Sequence, residues 1–234
     1  NIAMGYRCLY NLTSGANNIA IGTQNLEAIT DATRNIAIGT NAMQQATSAL
    51  ANTAVGHLAM SAVTEGDTNV AIGATALTAL TTGGNNIGIG SAACAGFDTE
   101  GSNLGIGVSA LGGSVAGGEY NVAVGNSSLD ALTSADKNTA IGFDAGGATT
   151  TGGENTYVGH QAGNLNVDGT QNTIIGNNSN ATATDAGQAQ GLGADLACAA
   201  EFTTVGRGTN DIRAANGTAT WATVSDERFK KNIE

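Results

Sequence analysis

Proline is absent from all 234 residues, aromatic side chains make up 4% of them and charged side chains 12%. With so few bulky rings and with 35 glycines, the chain lacks the material of a conventional globular core. Basic residues are scarce as well: eight Lys and Arg against nineteen acids leave a net charge of −11. That excludes nucleic acid as a partner, because phosphate neutralisation requires clustered cations. No apolar run approaches the roughly 20 residues of a membrane-spanning helix, so membrane insertion is not expected. Mean hydropathy near zero, −0.02, argues against disorder driven by polarity and charge. Cys8, Cys94 and Cys198 are odd in number and widely spaced. They read as small buried or free thiols rather than as a disulfide framework or a zinc site. The opening residues NIAMGYRCLY carry no basic-then-apolar leader and begin inside a repeat, so the sequence reads as a piece of something longer.

What the chain does contain is repetition. Asn stands at 1, 18, 35, 52, 69, 86, 103, 121, 138, 155 and 172, and a Gly follows each four residues later, from Gly5 through Gly22, Gly39, Gly56, Gly73 and Gly90 to Gly176. The period is 17, with one step of 18. Between Asn and Gly come an apolar or β-branched residue, usually Ala or Gly, and then Ile, Val or Met, a short alternation that predicts a strand. A second set of apolar residues falls at the ninth and twelfth positions, for example Leu26 and Ile29 or Leu77 and Leu80, while acids and turn-formers fill the connections. Seventeen residues leave no room for two helices and their turns. The pattern therefore predicts an all-β fold, a parallel β-solenoid or β-roll of 17-residue coils, with each strand stacked on its equivalents.

In this reading Asn18, Asn35, Asn52, Asn69 and Asn86 stack in a ladder or bond their amides to the turn. Gly22, Gly39, Gly56, Gly73 and Gly90 mark corners that need positive φ or a close backbone approach. Residues 1–176 form eleven coils; 177–210 hold degenerate coils with AQGLG at 189 and FTTVG at 202; and 211–224 form a hairpin-like connector turning at Asn216-Gly217. The tiny third residue of each word points away from its larger neighbours, which predicts a smooth stripe along which further copies pack as a homo-oligomer.

Words such as NNIAIGTQNL and NVAIGATAL resemble the head repeats of trimeric autotransporter adhesins. The resemblance spans about residues 1–176 and implies a left-handed parallel β-roll associated as a homotrimer, although the unit here is longer. The last ten residues, SDERFKKNIE at 225–234, resemble the start of the endosialidase-type intramolecular chaperone domain of phage tail spikes and fibres. That resemblance implies self-cleavage with Ser225 as nucleophile and Lys230 as its base. A lysine serves so only where burial lowers its pKa.

Together these features predict a structural segment of a phage tail fibre, extracellular on the virion, with itself, other virion proteins and a host-surface receptor (glycan or protein) as partners. It needs no cofactor and is no enzyme beyond that single self-cleavage. The alternative is the head of a bacterial trimeric surface adhesin. Other motifs carry less. GIGSAACAG at 88 is the repeat word rather than a phosphate loop. His57 and His160 share the sixth position six coils apart, too far to share a metal within one chain. Glu65 with Asp67, and Asp98 with Glu100, read as solvated loop charge rather than calcium ligands. A polysaccharide-cleaving spike would need close carboxylates in a long insertion, and an ice-binding solenoid a regular Thr ladder; neither is expected.

Overall fold

The computed structural model describes residues 1–113, 118–217 and 222–223. Among these there is no helix, and one 15-stranded sheet dominates. Each repeat word is a strand: β1 (Ile2–Tyr6), β2 (Ile19–Thr23), β3 (Ile36–Thr40), β4 (Thr53–Val55), β5 (Val70–Ile72), β6 (Ile87–Ile89), β7 (Leu104–Ile106), β8 (Val122–Val124), β9 (Thr139–Ile141), β10 (Thr156–Val158) and β11 (Thr173–Ile175). The series continues through β13 (Gln190–Ala194) and β15 (Phe202–Arg207), while β12 (Asn180–Ala181) and β14 (Ala197–Cys198) form a separate parallel pair. Every step from β1 to β15 is parallel and in register, as in Ile19↔Ile36 and Val70↔Ile87. The chain is a parallel β-solenoid of about 12 turns, on the order of 60 Å long at ~4.8 Å per coil.

Register survives both irregular units. The 18-residue unit keeps Leu104 opposite Val122, so its extra residue is absorbed in the connection and the sheet continues unbroken. Between β13 and β15 the coil shortens to 13 residues, Gln190↔Thr203. The stack then ends in antiparallel pairing. β16 (Asn210–Ala215) folds back on β15 through Gly208 and Thr209, and β17 (Ala222–Thr223) pairs with β16. The first of these hairpins was not foreseen. The second pairs in the register Arg213↔Ala222, and Asn216-Gly217 falls between its two strands.

The core is a thin column. Leu26, Met43, Met60, Leu77, Leu111 and Leu129 from the ninth position and Ile29, Val63, Leu80, Phe97 and Leu132 from the twelfth are fully buried. The strand adds only its third residue: Ala20, Ala37, Ala54, Ala71, Ala123 and Ala140 are fully enclosed. This corrects the expected stripe of tiny residues on the outside. Alternation does turn the third residue away from its neighbours, but it turns inward, because the leucines and methionines of the far side leave no space for a larger one. Gly105 shows how tight the fit is: a Cβ there would lie 2.6 Å from the Cys94 sulfur.

Two consecutive coils depart from the rule, with Tyr157 and Ile174 buried at the third position, and the first does so in a compensated way. Tyr157 replaces the third-position alanine and is fully buried. The ninth positions flanking it are Gly146 and Gly163 rather than leucine, and a Cβ on Gly163 would lie 2.2 Å from the tyrosine ring. The ring thus occupies the volume two leucines fill elsewhere. Its hydroxyl lacks a well-aligned hydrogen bond, although Thr149 and Asn172 lie close enough to polarise it, and burial pushes its pKa up.

Backbone conformation is as periodic as the sequence. The fifth-position glycines hold φ between +118 and +147 from Gly5 to Gly193, and a Cβ on Gly90 would sit 2.4 Å from the Gly107 carbonyl oxygen. Only glycine satisfies both conditions. Columns at positions seven, nine and seventeen are left-handed although mostly not glycine, as at Thr75 (φ 58), Leu77 (φ 50) and Ala51 (φ 59). Each costs about 1 kcal/mol or more, offset by inter-coil bonds such as Leu77 N to Ala93 O at 3.0 Å.

Candidate functional surface

The asparagines form one continuous buried ladder. Asn52 Nδ2 donates to Gly66 O at 2.7 Å within its own coil and to Asn35 Oδ1 at 3.2 Å, while Asn52 Oδ1 accepts the Asn69 backbone N–H at 2.8 Å. Asn18, Asn35, Asn69 and Asn86 repeat the arrangement, each with its amide donating across the coil and its oxygen receiving the next asparagine's N–H. Every polar atom of these side chains is committed to the stack, so none is free for chemistry. Gly22, Gly39, Gly56, Gly73 and Gly90 lie at the corner that follows.

The remaining candidates stay apart. Ser225 and Lys230 lie outside the described residues. His57 and His160 are exposed and six coils apart; His160 stacks on Phe143 with ring centroids 5.3 Å apart. Glu100 Oε2 accepts the Asp98 and Thr99 N–H groups at 2.6 and 3.0 Å, and Asp67 accepts Leu50 N–H at 2.7 Å. Glu100 thus closes its own loop and is buried rather than solvated as expected, while Asp67 ties its loop to the preceding coil. Among the described residues, no group of three or more His, Cys, Asp or Glu comes together to hold a metal. Burial pushes the Cys94 thiol well above its ordinary range, and burial raises Cys198 to about 11 despite the nearby Arg213. Both are protonated at neutral pH and make poor nucleophiles.

One ladder escaped the sequence reading. Thr13, Thr30, Thr47, Thr64, Thr81, Thr133 and Thr150 form a column at position thirteen, and their hydroxyls donate to carbonyls of the following coil, as in Thr13 to Thr30 O at 2.8 Å and Thr47 to Thr64 O at 3.2 Å. Those hydroxyls serve the stack rather than solvent.

The principal outward feature is apolar. Second and fourth residues of each word point away from the core, giving rows such as Ile19, Ile36, Val70, Ile87 and Leu104 beside Ile21, Ile38, Ile72, Ile106, Ile141 and Leu192. Ile72 is 41% exposed, Ile141 43% and Leu192 55%. No charged residue occupies either row from Ile2 to Leu192. The second-position row is interrupted by Thr53 and turns polar after β8, through Thr139, Thr156, Thr173 and Gln190. The face is roughly 60 Å by 10 Å, the upper end of what a lone chain leaves to water. Comparison with protein-family models, curated proteins and solved structures gives no significant match.

Proposed function

We propose that the chain is a rigid structural rod that associates with copies of itself along the apolar face, as a homotrimeric, left-handed segment of a phage tail fibre presenting its connections to a host receptor. The observation that carries this is an uncharged face whose fourth-position row is apolar along the whole column and whose second-position row is mainly apolar up to β8. A charge anywhere in those rows would be desolvated in the assembly, which accounts for its exclusion from every repeat word. The face is on the order of 600 Å², comparable with the ~800 Å² per partner of a standard interface. Committed asparagines and protonated thiols favour a structural over an enzymatic role.

The fibre setting rests on the resemblance of the SDERFKKNIE stretch to a self-cleaving chaperone, with Ser225 as nucleophile and Lys230 as base. The adhesin-head words favour the second reading, a bacterial trimeric surface adhesin, for which the same face would serve. Native mass tests the shared core of both: three chains of 23.0 kDa give about 69 kDa, and Ile72→Lys with Ile106→Lys should release 23.0 kDa chains. A wild-type monomer at micromolar concentration overturns the reading. In the longer gene, Ser225→Ala should leave an uncut product; normal cleavage would refute the fibre-specific part.

A further inference from the structure

A second surface lies beside the apolar face and differs from it in chemistry. The last residue of each unit, seventeenth in a regular unit and eighteenth in the long one, is Tyr120, Lys137, Glu154, Gln171 and Gln188 on consecutive coils. All are exposed and all hold φ between 55 and 61, so the left-handed corner projects them as one ridge. Two clefts of about 460 and 440 Å³ run along it and share Gln171. The first is lined further by Ser134, Asp136, Thr151 and Thr170, the second by Gln190, Thr203 and Asn216, and the apolar lining of both is confined to alanine and glycine.

The ridge is ordered by its own hydrogen bonds. Gln188 Nε2 donates to Gln171 Oε1 at 3.1 Å, Gln171 Nε2 donates to Glu154 Oε2 at 3.1 Å, and Lys137 Nζ lies 3.8 Å from Glu154 Oε1. Across the second cleft Thr203 donates to Gln190 Oε1 at 2.9 Å. The direction of this chain fixes which atoms are left over. Among the described residues the Gln188 side-chain oxygen, the Gln190 amide nitrogen and one N–H of each ridge glutamine take no protein partner. Donors and acceptors thus recur at the coil spacing of ~4.8 Å, held in place before anything binds. Tyr120, 58% exposed, supplies an aromatic face at one end.

We propose that this trough binds an extended neutral oligosaccharide, with Tyr120 against the C–H face of one ring and Gln171 and Gln188 bonded to hydroxyls of its neighbours. Sugar hydroxyls both donate and accept, as planar amides do, and the C–H faces of pyranoses pack on aromatic rings. A protein partner would look for large apolar anchors, which the trough lacks, and a polyanion for more than one lysine. Lys137 is balanced by Glu154, and the net charge of −11 disfavours acidic sugars. The receptor-facing reading supplies the biological setting, whereas the binding chemistry needs one chain only.

The test is an array of neutral and sialylated oligosaccharides probed with wild type, Tyr120→Ala, Gln171→Ala and, as a control away from the ridge, Gln45→Ala. Binding should be confined to neutral chains of several units, fall at least tenfold in each ridge variant and persist in the control, with native mass unchanged throughout. Absence of neutral binding, preference for sialylated chains, or full binding by the ridge variants overturns the proposal. A monomeric mass with intact binding overturns self-association and leaves the trough standing.

Discussion

Replacing Tyr157 with alanine tests the idea that core volume is traded between coils. The ring is fully buried and fills the place of leucines missing at Gly146 and Gly163, so Tyr157→Ala opens a cavity with nothing beside it able to collapse. Aromatic-to-alanine changes in such sites cost about 3–5 kcal/mol. Because the hydroxyl has no well-aligned partner, Tyr157→Phe should be neutral or slightly stabilising, placing the whole loss in packing. Gly163→Leu alone should also destabilise, since its Cβ would lie 2.2 Å from the ring. The triple variant Tyr157→Ala, Gly146→Leu, Gly163→Leu restores the combination found in other coils. Backbone strain does not stand in the way: Gly163 has φ 66 and Leu77, at the same position, φ 50. The triple variant should recover most of the loss, a coupling of about 2 kcal/mol or more. Urea midpoints at one protein concentration, with hydrogen exchange of the amides near β10, would read this. A triple variant no more stable than Tyr157→Ala refutes the reasoning.

Other perturbations probe the ladders, the corners and one acid. Asn69→Ala strips the bonds to Gly83 O, Asn86 N–H and Asn52 Oδ1 and leaves buried groups unpaired, for a loss of about 3–5 kcal/mol at ~1–3 per group, measured by denaturation; a loss under 1 kcal/mol would contradict the ladder's role. Ala51→Gly, at φ 59, should raise stability by about 0.5–1 kcal/mol, whereas Gly90→Ala should unfold its coil, seen as lost amide protection around β6. Burial, then the neighbouring Asp144, raises the Asp130 pKa above its usual 3.8. The folded state therefore holds that proton more tightly than the unfolded state. Its contribution to stability improves as pH falls through the folded-state pKa and levels off below the unfolded one. Asp130→Asn should be at least as stable as wild type at pH 7, with the gap closing in acid; a gap independent of pH would argue against this.

The solenoid was legible because its two strictest demands fall on single residue types. The Asn ladder accepts only a side chain that donates and accepts at once, and the corner accepts only glycine, so both print a visible period of 17. The direction of the strand was not legible. Ile and Val at the second and fourth positions look like core residues, yet the core belongs to Leu77, Leu80 and their equivalents, and only alanine or glycine fits opposite them. The left-handed columns were invisible for another reason: Thr75, Leu77 and Lys137 carry no signature of positive φ, which inter-coil bonding imposes on them. The ridge of Tyr120, Gln171 and Gln188 becomes visible when the last residue of each unit is aligned, a position that reads only as connection by itself. The Thr13-to-Thr150 column could have been found by the same alignment.

The asparagine column carries a consequence for how such a molecule changes over time. Each amide reaches the next coil with the same offset, and no bond of the ladder specifies which coil that is; the fit of Tyr157 against Gly146 of the coil before it is an exception. Removing or adding seventeen codons should therefore alter reach alone, leaving whatever lies at the far end in place on an intact rod. Losing a single codon from within a word would derail every rung on one side of the break. Length is the trait this architecture lets drift freely, in steps of one rung.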